Sequence, residues 1–217
     1  MKTLRIPLLG NLEDRDLDTS IELEGNSFRV DNVNWPEKYP YSPFCAGRIA
    51  RTEDSIIVDF RVSGLDLRAV NLEDRGHIWE DSCCEFFVQA PDGSEYFNFE
   101  VNPAGFLVAS HGPAREGREP LPAEDFARIV RITSVSGLSS IDSPVEFEGG
   151  LWNWRVMLII PFDIIGVDAD NLPAKLRGNF YKCGDRTAHP HFASWAPIST
   201  PAPDFHRPEF FGELTLS

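Results

Sequence analysis

The chain has no run of about 18 apolar residues, the length a helix needs to cross a bilayer. It has only four cysteines in 217 residues, and two of them, Cys83 and Cys84, are adjacent. Neighbouring residues on a strand point to opposite faces, so this pair cannot serve one interior. No Cys-x-x-Cys spacing occurs either. A disulfide framework and a thiolate zinc site are therefore both disfavoured, and reduced, mostly buried thiols are expected. Methionine is scarcer still, and Met157 falls within a strand-like run, which leaves little to ligate haem. Bases are outnumbered, 20 Lys and Arg against 34 Asp and Glu, for a net charge of -14. Nucleic acid and anionic membrane both need clustered Lys and Arg, so neither is expected as a partner. The stretch from Met1 to Leu9 is too short and too weakly basic for a signal peptide. The chain as it stands reads as cytoplasmic, or as secreted or periplasmic if a leader has been removed. Helical periodicity, internal repeats and low-complexity tracts are all missing.

What is present is a series of short alternating apolar runs. Ser55–Val62 places Ile56, Val58, Phe60 and Val62 on one face and Asp59 and Arg61 on the other. Tyr96–Asn102 turns Phe97, Phe99 and Val101 inward and Tyr96, Asn98, Glu100 and Asn102 outward. A third run spans Trp152–Ile160. Shorter strands are expected at Glu85–Gln89, Phe106–Ser110, Arg128–Ser134, Asn179–Cys183 and Glu213–Leu216. Pro91-Asp92-Gly93-Ser94 reads as the turn of a hairpin joining Glu85–Gln89 to Tyr96–Val101. Pro161–Gly166 reads as one helical turn stopped by Gly166. Length and pattern together predict an all-β antiparallel sandwich, a single domain over residues 1–217, with little helix.

Three groups of residues bear on function. The acids Glu80, Asp81, Glu85 and Glu100 include Glu85, which opens an apolar strand and shares a face with Phe87 and Gln89. If that strand pairs with Tyr96–Val101, Asn98 and Glu100 join it in a polar row suited to sugar hydroxyls. Glu80 and Asp81 read as a solvated turn. The histidines His189, His191 and His206, with Asp185, match no zinc spacing and read as loop residues. The aromatics Trp35, Trp79, Trp195 and Phe205 sit in Pro-rich or loop-like stretches, outside any apolar alternation. Each either plugs one end of a sandwich or offers a flat platform for a pyranose. Three readings stay open: a sugar-binding sandwich, a glycoside hydrolase using Glu85 and a second carboxylate, and a protein-interaction sandwich.

The segment from Asn71 to Phe87, containing Trp79-Glu80-Asp81 and Cys83-Cys84-Glu85, resembles the family 9-like carbohydrate-binding proteins. So do Asn179–Asp185, His191–Trp195 and the closing Pro203–Gly212. The resemblance runs from about residue 40 to the C-terminus. It implies a jelly-roll sandwich of the DOMON-like kind, of bacterial type. It also implies a mono- or oligosaccharide ligand, in family 9 proper the reducing end of a glucan or xylan, and a role in carbohydrate catabolism beside a glycoside hydrolase. By that resemblance Trp79 and Phe205 are the two clamp rings, Phe205 standing where the family has Trp. Glu85 accepts sugar hydroxyls, Lys182 occupies an amide position, and His189 lies near the place of a family arginine. Asn98 joins the set from the strand pattern. Structural calcium is the one metal the resemblance implies.

Overall fold

The computed structural model describes residues 1–10 and 15–217. Its strands are β1 (Thr3–Ile6), β2 (Asn26–Arg29), β3 (Asn32–Val33), β4 (Phe44–Arg51), β5 (Ser55–Ala69), β6 (Cys83–Gln89) and β7 (Tyr96–Val101). They continue with β8 (Leu107–Gly112), β9 (Glu119–Pro120), β10 (Val130–Val135), β11 (Val145–Pro161), β12 (Lys175–Cys183), β13 (Phe192–Ser194) and β14 (Gly212–Leu216). They form two sheets. The larger runs β1-β14-β12-β6-β7-β8-β9, with β13 and β3 alongside β12; the smaller runs β10-β11-β5-β4-β2. The β-sandwich expected from the sequence is thus the observed architecture. One pairing departs from the antiparallel rule: β1 lies parallel to β14.

The sheets meet over side chains that alternate along each strand. Phe86, Phe99 and Phe180 from the larger sheet pack on Val58, Phe60, Val156 and Leu158 from the smaller. Phe180 stacks on Phe28 at 4.0 Å between ring centroids. Full burial of each such ring contributes roughly 1.5–3 kcal/mol. Trp195 is part of this core, so of its two expected roles it takes the structural one.

The other face of the smaller sheet is not solvated, as the alternation suggested. Helix α1 (Leu17–Glu24) lies over it, and Ile21 packs on Ile57, Ala50 and Met157. Little in the residue pattern marks α1, whose start is fixed by Asp16 accepting from the Thr19 amide. Asp59 is fully buried on this face, held by Arg155 Nε at 2.5 Å and Arg61 Nε at 3.1 Å. The expected turn after β11 is a 3-10 turn over Phe162–Ile165, ended by Gly166 at φ 71°.

Cys83 and Cys84 behave as alternation demands. Both are fully buried, Cys84 between the sheets and Cys83 on the opposite side of β6. All four cysteines carry free thiols.

Candidate functional site

The outer face of the larger sheet carries a cleft walled by loops. The cleft between them has a volume of about 530 Å³. Its floor is laid by register. Glu85 on β6 stands opposite Glu100 on β7, which stands opposite Val108 on β8. The next row sets Phe87 against Asn98 and Asn98 against Ser110. β12 adds Tyr181 opposite Glu85 and Cys183 opposite Cys83. The polar row expected on this sheet face therefore exists, and Glu85, Asn98, Glu100 and Ser110 all line the cleft.

The walls come from segments between strands. Trp79 lies in the short turn Ile78–Glu80 before β6, with 37% of its surface exposed and its ring stacked on His77. Its carbonyl accepts from the Asp185 amide at 3.2 Å, and Glu80's carbonyl accepts from Arg186's, which ties this turn to the loop after β12. Phe205 stands on the other wall. It is only 8% exposed, because one ring face stacks on Tyr181 at 4.2 Å and 8°. Tyr39 and Phe192 add apolar surface beside it.

The floor carries more acid than base. Glu85 is 3% exposed, and its Oε1 accepts from the Cys183 thiol at 3.0 Å. Burial first, then Cys183 and Glu100, push its carboxyl well above the usual carboxylate range. Burial raises Glu100 to about 7 against the opposing pull of the Asn98 amide, which donates to Glu100 Oε1 at 2.8 Å, and of Arg118. At the mouth Asp185 is raised to about 6, by burial and then by Glu80. Arg118 does not neutralise this group through ion pairs. Its guanidinium donates to Asn98 Oδ1 and to the carbonyls of Tyr96, Ser110 and Ala114, and it lies over the Tyr96 ring at 4.1 Å. Arg115 pairs with Asp204 at 3.0 Å.

Four of the six residues expected at the site line this cleft: Trp79, Glu85, Asn98 and Phe205. Lys182 does not. It alternates with Tyr181 and Cys183, so it points between the sheets, opposite Cys84, with its ammonium over the Trp154 ring. Its Nζ donates to the Cys183 carbonyl and to His191 Nε2 at 2.8 Å. His189 does not line it either, because Asp66 holds its ring at 2.9 Å on the far side of β12. His191 is buried beside Lys182, and His206 bonds the Tyr96 hydroxyl at 3.0 Å, so neither is a free loop residue. Asp81 is also misplaced by the sequence pattern. It is fully buried and accepts from the Val70 and Asn71 amides, bracing the turn that carries Trp79.

The profile of carbohydrate-binding family 9 matches residues 17–216, nearly the whole chain and every strand of the cleft. The chain belongs to carbohydrate-binding family 9. A Bacteroides uniformis protein, provisionally assigned as carbohydrate-binding, is 32% identical, with a TM-score of 0.85 over 100% of this chain and 99% of its own. A family 9 module from Caldicellulosiruptor kristjanssonii solved with glucose is 12% identical, TM-score 0.56, covering 100% of this chain and 96% of its own. A family 9 module from the same organism solved with cellotriose is 13% identical, TM-score 0.55, covering 99% and 93%. At those identities the two modules share the fold. No protein among those with curated functions matches the sequence.

The calcium that the family resemblance implies does not fit the residues at the motif. Asp81 is ringed by donors: the Val70 and Asn71 amides, the Asn71 and Asn102 side-chain amides, and Arg68 Nε at 3.4 Å. That shell suits an anion and repels a cation, whereas calcium needs six to eight oxygens.

Sequence reasoning missed Arg115 and Arg118, which line the cleft from the loop after β8. No alternation or motif marks that loop. Tyr39 and Phe192 were also missed. Phe192 was within reach, since it sits in the His191–Trp195 stretch that carries part of the family resemblance.

Proposed function

We propose that this chain is a non-catalytic carbohydrate-binding protein that holds a neutral mono- or oligosaccharide, of the glucose and β-glucan class, in the cleft above β6, β7 and β12. One observation carries the reading. A partly exposed Trp79 ring and the Phe205 ring wall a cleft whose floor presents buried, oriented Glu85 and Asn98. Aromatic faces take the apolar face of a pyranose, and fixed polar groups take its hydroxyls. Glucose and cellotriose in the two Caldicellulosiruptor structures support the ligand class. A glycoside hydrolase is the partner class that would use such a binder.

Hydrolysis by Glu85 and a second carboxylate is the alternative reading, and release of reducing sugar from an oligosaccharide would identify it.

Calorimetric titration with glucose, cellotriose and a xylo-oligosaccharide tests the reading. Binding of one ligand per chain is expected, with no release of reducing sugar from the oligomers. The absence of heat and of any change in tryptophan fluorescence across the panel would overturn it.

A further inference from the structure

The floor of the cleft holds a grouping of which the sugar reading uses only Glu85. Cys83 opens β6, Cys183 closes β12, and the two are partners across the ladder. Glu85 lies two residues beyond Cys83, on the same face. The two sulfurs and a Glu85 carboxylate oxygen all lie within 4.8 Å of one another. Among the described residues no other three His, Cys, Asp or Glu side chains come so close together.

We propose that Cys83, Cys183 and Glu85 bind one thiophilic divalent cation of the zinc class, with the fourth coordination position opening into the cleft. Zinc takes four ligands at ~2.3 Å for sulfur and ~2.1 Å for carboxylate oxygen, which puts two sulfurs roughly 3.8 Å apart. Side-chain shifts of about 1 Å bring the three donors to that geometry. Two thiolates select against calcium and magnesium, which prefer oxygen. An entry path exists, because Cys183 and Glu85 both line the cleft. Three protein donors with one open position is the pattern of a site that exchanges its fourth ligand, here a water or a sugar hydroxyl. The same two thiols face each other closely enough to suggest a cross-strand disulfide instead. Glu85 would have no part in that bond, and its carboxyl already accepts from Cys183. The cation displaces the thiol protons to solvent, so affinity rises with pH.

The test uses the whole chain, reduced and stripped with a chelator, titrated with Zn²⁺ by calorimetry and with Cd²⁺ by ultraviolet absorption. One ion per chain and a sulfur-to-cadmium band are expected. Loss of even an outer partner costs a metal site roughly 10–100-fold, so Cys83→Ser and Cys183→Ser are each expected to weaken binding at least ~10-fold. Cys45→Ser, on the core side, leaves binding unchanged. Should either serine variant fail to fold, Glu85→Gln, which keeps both thiols, still weakens binding while retaining the sulfur band. The proposal is overturned by no binding in millimolar excess of metal, by unchanged affinity in the folded serine variants, or by a Cys83–Cys183 bridge found by mass spectrometry of the native protein. Sugar affinity on the same samples separates the two readings: sugar binding without metal binding sinks only this inference, and metal binding without sugar binding sinks only the sugar reading.

Discussion

At the scale of single residues, Trp79 and Lys182 show what decides a role. Trp79 follows no apolar alternation, and it stands at the cleft with over a third of its surface open. Stacking adds about 0.5–1.5 kcal/mol beyond the area buried. Trp79→Ala is therefore expected to weaken sugar binding by roughly 2–3 kcal/mol, or about 30- to 150-fold. Its urea midpoint falls far less than that of Trp195→Ala, a core truncation costing ~3–5 kcal/mol. Calorimetry and urea unfolding on the two variants check both statements, and unchanged affinity in Trp79→Ala would move the site elsewhere. Lys182 was legible in principle, since it shares its strand face with Phe180, an evident core residue, and so cannot face the cleft. The family resemblance pulled it to the wrong side. Glu100 yields a pH prediction. Its folded value of about 7 lies above the ordinary 4.5, so its contribution to stability is full below about pH 4.5 and is lost as pH rises through about 7. Glu100→Gln removes that loss. The midpoint of the variant minus that of the parent grows between those pH values, and a constant difference would show that Glu100 titrates normally. Comparing variant with parent cancels His206, whose value, lowered to about 4 by burial, shifts stability in the opposite sense.

At the scale of elements, strands with clean period-two patterns were legible, as were the shorter β8, β10 and β14, whereas other elements were not. β5, β6, β7, β11 and β12 announce themselves because one face of each meets the core. Their alternation alone also made the polar row of Glu85, Asn98 and Glu100 readable in the sequence. β4 and α1 were not found. β4 reads Phe44-Cys45-Ala46-Gly47-Arg48-Ile49-Ala50-Arg51, where the inward positions include a glycine and the outward ones include Phe44 and Ala46, so no apolar–polar alternation marks it. α1 is eight residues long and holds its place by packing Ile21 on the sheet, which local propensity does not record. β14 offers a test of element closure. A methyl group at Gly212 would lie 2.3 Å from Trp195 Cζ3 and 2.9 Å from the Lys2 carbonyl, so both β1 and the core would have to give way. Gly212→Ala is expected to cost about 1–3 kcal/mol, read as a lower urea midpoint, with sugar affinity of the folded fraction intact. An unchanged midpoint would mean that the β1–β14 edge is loosely held.

At the scale of the whole molecule, the cysteines give a prediction about chemistry under denaturation. Buried thiols on both sides of β6, with Cys83 raised to about 12 by burial, react slowly while the protein is folded. Four titratable thiols per chain are expected on unfolding without reductant, and fewer would reveal a bridge. The division between the sheets has a wider consequence. Every residue that lines the cleft belongs to the larger sheet or to the loops around it, and none comes from β2, β4, β5, β10 or β11. The smaller sheet, with the buried Asp59–Arg155 pair and α1 clamped on its outer side, is a foundation that contributes nothing to the cleft. The walls of the cleft and the core between the sheets are thus encoded in largely separate stretches of chain, while β6, β7 and β12 serve both. A library that randomises the turn at 77–80 and the loops at 113–118 and 203–206 would explore new glycans while leaving the core between the sheets unchanged, which makes the scaffold a host for engineered recognition.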